Sequence, residues 1–300
     1  MFTFAQITGS VAKNGQVGLV HWYKLLICTI VVIGSVALLP QAGTAKIASS
    51  DNTQAELVAG ESGRVARVID GDSLVLAGGL RVSLSAIQAP KSERIDELSS
   101  WPLVNEAGEA LRALTAGKTI KLFYGGDKRD RYNRAIAQVY TLDAKGNPDV
   151  WLQEAMVKAG MARVYSWKDY LQNTEALYRA ESEARTAKRG IWNTENTSGF
   201  YKIHNPDPDP LAQYVDTIQV IEGVIVKTAD VRRTIYLNFG SDYKTDFTIA
   251  IPKKSRQAFK NAPYDPLTLT GARVRVRGYV ELYGGPIIWL NDPNRLEVLD

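Results

Sequence analysis

Residues 65–91, VARVIDGDSLVLAGGLRVSLSAIQAPK, constrain the fold more than any other stretch of the chain. Two apolar runs flank Asp70-Gly71-Asp72, and Asp-Gly is a turn signal because it accommodates the positive φ angles of a tight hairpin. Such a hairpin places two carboxylates at its mouth. Beyond it, Leu80, Val82, Leu84 and Ala86 alternate with Arg81, Ser83 and Ser85. A period of two predicts a strand with one buried face, Arg81 and Ser83 sharing the polar one.

This stretch resembles the staphylococcal nuclease (thermonuclease) family, whose members carry V-x-x-V-x-D-G-D-T-x-x-(V/L) and then R-V-R-L-x-G-I-D-A-P-E. The likeness continues at Asp130-Arg131-Tyr132-Asn133-Arg134, at Gly160-Met161-Ala162, and at Ala184 through Trp192, which ends K-R-G-I-W. It implies a mainly β fold with α, a staphylococcal-nuclease oligonucleotide-binding (OB) barrel of five strands with three helices, and with it a calcium site and phosphodiester hydrolysis. Position by position, the resemblance places Asp72, with Asp70 beside it, and Gln88 at the calcium ligands. Lys91 stands at the general-base position, and Ser83 and Arg134 stand where the family has its two phosphate-binding arginines.

Three of these positions depart from the family pattern, each with a physical consequence. Glutamine still offers calcium a neutral oxygen, but the site loses a carboxylate, so calcium binding is expected to be weak or absent. Lysine is protonated near neutral pH, cannot accept a proton from water, and opposes a nearby cation. Loss of a general base typically slows an enzyme about 10²- to 10⁴-fold. Serine lacks the fork with which arginine grips phosphate. The candidate substitutes are Arg81, on the same strand face as Ser83, and Glu93, two residues beyond Lys91. Asn133 precedes Arg134 where the family usually has glycine. Asparagine tolerates the left-handed backbone well, so the turn that aims Arg134 can survive. Arg134 read simply as a solvated strand charge is the alternative.

At the N-terminus, Leu25 to Leu39 is an apolar run after Lys24, followed by small residues up to Ala45. As a helix it would span about 22 Å, short of the ~30 Å bilayer core. A secretory signal is therefore expected over 1–45, with an uncleaved membrane anchor through residues 25–39 as the alternative. Either sends the rest of the chain outside the cytoplasm, as a periplasmic, secreted or membrane-anchored protein with its domains outside. Cys28 is the only cysteine and lies in this run, so the exported part has no disulfide. His204 is the sole histidine beyond it, which excludes histidine-based zinc or triad chemistry. Past residue 45 the chain is nearly neutral, so any basic surface is local.

Residues 46–61 are read as a polar linker, 62–194 as the nuclease-like domain, and 195–216, with its Pro-Asp alternation at 205–210, as a stiff spacer. Within 62–194, helices are expected from Pro102 to Gly117, over Trp151–Ala159 and over Leu171–Lys188, with Gly190 as the last C-cap. From 217 to 300 five strands with a short helix after the third suit a second small OB-like β-barrel. There Arg273, Arg275, Arg277 and Tyr279 line one strand face near other aromatics, a pattern suited to single-stranded nucleic acid or another polyanion. A solvated face, or a surface for a protein partner, would show the same pattern. The function expected is a nuclease fold whose site is impaired or lost, binding nucleic acid or a polyanion. An active calcium-dependent endonuclease on DNA or RNA and a non-catalytic protein-interaction module are the alternatives.

Overall fold

The structure, a computed structural model, describes residues 57–91, 101–166, 173–195, 197 and 199–299. The apolar run, the tether up to residue 56 and Glu93 lie outside these residues.

The hairpin forms as its sequence predicts. β1 (Val58–Asp70) turns through Gly71 and Asp72 into β2 (Ser73–Leu76), with Asp70 opposite Ser73. Glycine is needed here for a different reason than expected. Gly71 does not have a positive φ. A Cβ on it would lie 2.7 Å from the Cβ atoms of Ala107 and Ala89, so close packing over the turn, rather than its dihedrals, demands glycine. β1 also begins earlier than the tether reading allowed. Val58 pairs with Tyr124, whose hydroxyl donates to Glu61 at 2.6 Å, with Arg129 bonded to both Glu61 and Tyr124.

There follow β3 (Arg81–Leu84), β4 (Ile87–Gln88), α1 (Val104–Thr115), β5 (Thr119–Tyr124), β6 (Ala135–Leu142), β7 (Pro148–Trp151), α2 (Leu152–Lys158), β8 (Arg163–Val164) and α3 (Thr174–Thr186). The sheet runs β3-β2-β1-β5-β6-β7, and β3 also pairs in parallel with β6, so that Val82 lies opposite Ala135. The helices bury the stripes that their spacing predicts, Ala107 and Leu111 on α1 and Leu177, Ala180 and Ala184 on α3. Gly190 does not cap α3. That helix ends at Thr186 with Lys188 at φ 50°, while Gly190 lies against Gly160, whose carbonyl accepts from Ile191 N at 2.8 Å. A Cβ on Gly190 would stand 2.1 Å from that oxygen, so two separated glycine motifs meet backbone to backbone.

The second sheet contains β9 (Ile203–His204), β10 (Ile218–Val224), β11 (Lys227–Val231), β12 (Thr234–Asn238), β13 (Thr248–Ile251), β14 (Arg273–Tyr283), β15 (Gly285–Trp289) and β16 (Leu296–Leu299), with α4 (Pro208–Ala212) and α5 (Arg256–Phe259) beside it. Its order is β11-β12-β13-β15-β14-β10-β9, with β16 on β14. The five expected strands all form. β9, β11 and β16 were not foreseen, and the Pro-Asp segment is not a spacer. Proline suits the first turn of a helix, and α4 seats Leu211, fully buried, in the second core. The result is a mixed β and α chain, a nuclease-like sheet followed by a second β domain.

Candidate functional site at the hairpin mouth

The hairpin carries its two carboxylates to one point, and Lys91 meets them there. Asp72 is buried and accepts from Ala89 N (2.8 Å) and Ser73 Oγ (3.0 Å), while Asp70 Oδ1 accepts from Asp72 N (3.0 Å). Lys91 Nζ donates to Asp70 Oδ2 at 2.9 Å and to Asp72 Oδ1. One ammonium thus bridges both acids. Burial, reinforced by Asp70, pushes the Asp72 carboxyl up against the pull of Lys91. For the less buried Asp70 the pull of Lys91 outweighs burial and holds the carboxyl below its ordinary range. Burial acts to lower Lys91, but the two carboxylates outweigh it and keep the lysine charged, above its ordinary value.

Gln88 does not join this group. Its Oε1 accepts from Arg163 Nε (3.0 Å) and Nη2 (2.9 Å). Arg163 is itself buried, with the rings of Trp101 and Tyr201 5.6 and 5.5 Å from its guanidinium carbon. Burial lowers its pKa to about 10, so it stays charged at neutral pH. These residues do not fit a calcium ion. A cation already stands between the two aspartates, and the expected third ligand is engaged by an arginine. The sequence reading missed Arg163; an arginine inside the short apolar run Met161 to Val164 was the available signal.

Of the phosphate-binding candidates, Arg81 and Ser83 lie on β3 and Arg134 one residue before β6, which pairs with β3. Ser83 is opposite Ser73 and Ile136, and Arg81 is opposite Val75, one residue before the pair Val82–Ala135. Arg134, one residue before Ala135, is therefore next to Arg81 across that pairing. Arg134 Nε donates to Asp130 Oδ2 at 2.7 Å, and its guanidinium lies over Tyr132 at 5.6 Å. Asp130 Oδ1 accepts from Tyr132 N and Arg134 N, both at 2.9 Å. Asn133 has φ 59°, the left-handed turn expected of it.

The arginines of β14 are not an open stripe. Arg273 and Arg275 both bond to Glu222. Arg277 is fully buried, donating to both oxygens of Glu181 (3.0 Å each), to Glu297 (2.6 Å) and to the Val164 carbonyl (3.1 Å), over the ring of Tyr178. At Arg277 the strand is turned onto α3 and β16, where acids 96 and 20 residues away neutralise it, while Arg273, at the strand's start, stays exposed beside Glu222. Tyr279, half exposed, donates to Asp216 at 2.9 Å. Arg295 adds a bond to the Ser166 carbonyl (2.7 Å), Ser166 bonds to Asp292 (2.6 Å), and Tyr178 bonds to the Asn294 carbonyl (2.6 Å). A buried polar seam thus ties the second sheet to α3 and β8.

The family described as Staphylococcal nuclease homologue matches residues 81–194, ending before the second sheet. The chain is 34% identical to an "Uncharacterized endonuclease" of Escherichia coli over 133 residues, 43% of this chain and 76% of that protein. It is 30% identical to "Endonuclease YncB" of Bacillus subtilis (42% and 59%) and 23% identical to the "Thermonuclease" of Staphylococcus hyicus (56% and 94%). With the motifs at Asp70, Asp130, Gly160 and Gly190 assembled in one fold, and a relative matched at 34% over three quarters of its length, the chain belongs to the staphylococcal nuclease homologue family.

Proposed function

We propose that this chain is an exported nuclease-fold protein that binds nucleic acid and whose hydrolytic site is impaired or lost. The observation that carries the reading is the ammonium of Lys91 between Asp70 and Asp72. In the family, a metal ion at such carboxylates supplies charge for the attacking water and the phosphate; here a lysine ammonium stands at the carboxylates instead. Lys91 cannot also serve as a base, because the same two carboxylates keep it protonated. Arg134, braced by Asp130, and Arg81 remain to hold a phosphate, which supports binding rather than cleavage. The pairing of β3 with β6 supports an oligonucleotide-binding barrel. Export rests on the apolar run before residue 40.

The retained Arg134 and the endonuclease names of the relatives favour a second reading, an active phosphodiesterase. Digestion of denatured DNA with calcium separates the two. The full chain is expected to cleave at least about 10³-fold more slowly than an intact relative, since the lost base and the lost arginine compound. The triple reversal Ser83→Arg, Gln88→Asp, Lys91→Glu is expected to recover activity. Calcium-dependent digestion by the unmodified chain at a relative's rate would overturn the proposal.

A further inference from the structure

The second sheet has one face in its core and, on the other, a part-buried floor in which Asn238, Thr248, Ala250 and Ile287 are buried while Lys227 and Glu281 are exposed. Ile235, Leu237, Ile249, Ile251 and Ile288 fill the core. The residues between them form rows across the opposite face. One row is Ala229, Tyr236, Ala250 and Trp289; the next is Lys227, Asn238, Thr248, Ile287 and Glu281. Tyr243, from the loop after β12, and Tyr283, at the end of β14, stand over this face 69% and 74% exposed. With the strands they enclose an open cavity of about 600 Å³, reaching from Lys227 past Tyr236 to Tyr283 and Ile287. Gly284 and Gly285 let the loop between β12 and β13 pack directly on the β14–β15 turn at the cavity's end, since a Cβ on either would fall within 2.3 Å of the Lys244 or Thr245 carbonyl oxygen.

Charge selects the occupant. Lys227, Arg232, Arg233 and Lys244 are exposed along the β11 edge and the β12–β13 loop. Of the acids nearby, Asp230 is offset by Arg256, while Asp242 and Asp246 fold back onto amides of their own loop and keep their charge, leaving the four cations in excess. Asp246 accepts from Asp242 N (2.7 Å), Asp242 from Lys244 N (3.0 Å), and Asp230 pairs with Arg256 (2.5 Å). Glu281 lies at the opposite edge, on β14. Aromatic rings on an apolar floor with cations along one side match a strand whose bases stack while its phosphates track the basic edge.

We propose that this face, in the second domain and apart from the hairpin site, is a platform for single-stranded nucleic acid. Bases stack on Tyr236, Tyr243 and Tyr283, and phosphates lie toward Lys227, Arg232 and Lys244. The inference rests on the reading of the chain as a nucleic-acid binder but uses none of the residues that carry that reading.

The test is fluorescence anisotropy of the full chain with a labelled oligothymidylate of about 16 nucleotides, the upper site size of one such fold. An abasic deoxyribose-phosphate strand of the same length serves as comparison. Tyr243→Ala and Tyr283→Ala, exposed enough to leave the fold intact, are each expected to weaken oligothymidylate binding about fivefold or more. Binding of the abasic strand is expected to be weaker and unmoved by either change. If both variants bind oligothymidylate as the parent does while Arg134→Gln weakens it, the strand sits on the first domain; the platform is then refuted and the nucleic-acid reading stands. Equal loss for the abasic strand would refute stacking. If the parent binds neither strand at low salt, the platform and the nucleic-acid reading both fall.

Discussion

Replacing Arg277 with methionine removes the cation at the centre of the buried seam and leaves two carboxylates behind. Arg277 contributes four side-chain bonds, to both Glu181 oxygens, to Glu297 and to the Val164 carbonyl, in a setting closed to water. Breaking a buried ion pair by removing one partner costs about 3–5 kcal/mol, because the other charge stays desolvated. Here each acid keeps a weaker partner. Glu181 retains Arg185 at 3.2 Å and the amide of Val164 at 2.8 Å, and Glu297 retains Arg275 at 3.4 Å. The cost should therefore fall near the lower bound, about 3 kcal/mol, a large part of the 5–15 kcal/mol of an ordinary domain. Urea unfolding followed by tryptophan fluorescence measures it, with Trp151 reporting from the first sheet and Trp289 from the second. The parent should unfold in one transition, since the seam couples the two. Adding Glu181→Met and Glu297→Met should recover part of the loss, as apolar replacement of a whole buried ion cluster often does. A loss below about 1 kcal/mol, the scale of an exposed strand position, would refute the reasoning.

Other positions give sharper local outcomes. Burial, with Lys202 reinforcing it, lowers His204 to about 4 from an ordinary 6.5. Its contribution is thus complete above pH 6.5 and lost as pH falls toward 4, about 3 kcal/mol at 1.36 kcal/mol per pH unit. His204→Asn should flatten that part of a stability-versus-pH curve, and an unchanged curve would show that His204 is not the group responsible. At Asn133, φ 59° makes valine costly by about 1–2 kcal/mol while glycine is tolerated, again read by urea unfolding. Equal stability of Asn133→Val and Asn133→Gly would contradict the left-handed turn.

The hairpin, the alternating strand after it and the helical stripes were legible because each rests on neighbours a few residues apart. Asp70 and Ser83 fall on β1 and β3, Asp72 in the turn after β1, and Arg134 one residue before β6, each within its own motif. What failed was everything decided at long range. The alternation of Arg273, Arg275 and Arg277 is the same whether a strand faces water or a helix, and only the fold brings Glu181 to it. Gln88 could be named as a ligand because nothing near it announces Arg163, 75 residues on. The opposition of Lys91 to a metal was foreseeable from its charge, but not that its ammonium would take the place between the aspartates. Local signals also misled. The Pro-Asp alternation favours extension, yet Leu211 found a core and the segment became α4.

A calorimetric calcium titration of the full chain and of Lys91→Ala tests most directly whether Lys91 replaces a metal at the hairpin mouth. The account predicts no binding tighter than about 10⁻³ M for the parent, the weak end of protein calcium sites. It predicts measurable binding for Lys91→Ala, in which Asp70 and Asp72 lose their shared cation. Submillimolar calcium binding by the parent, or none by a folded Lys91→Ala, would contradict it.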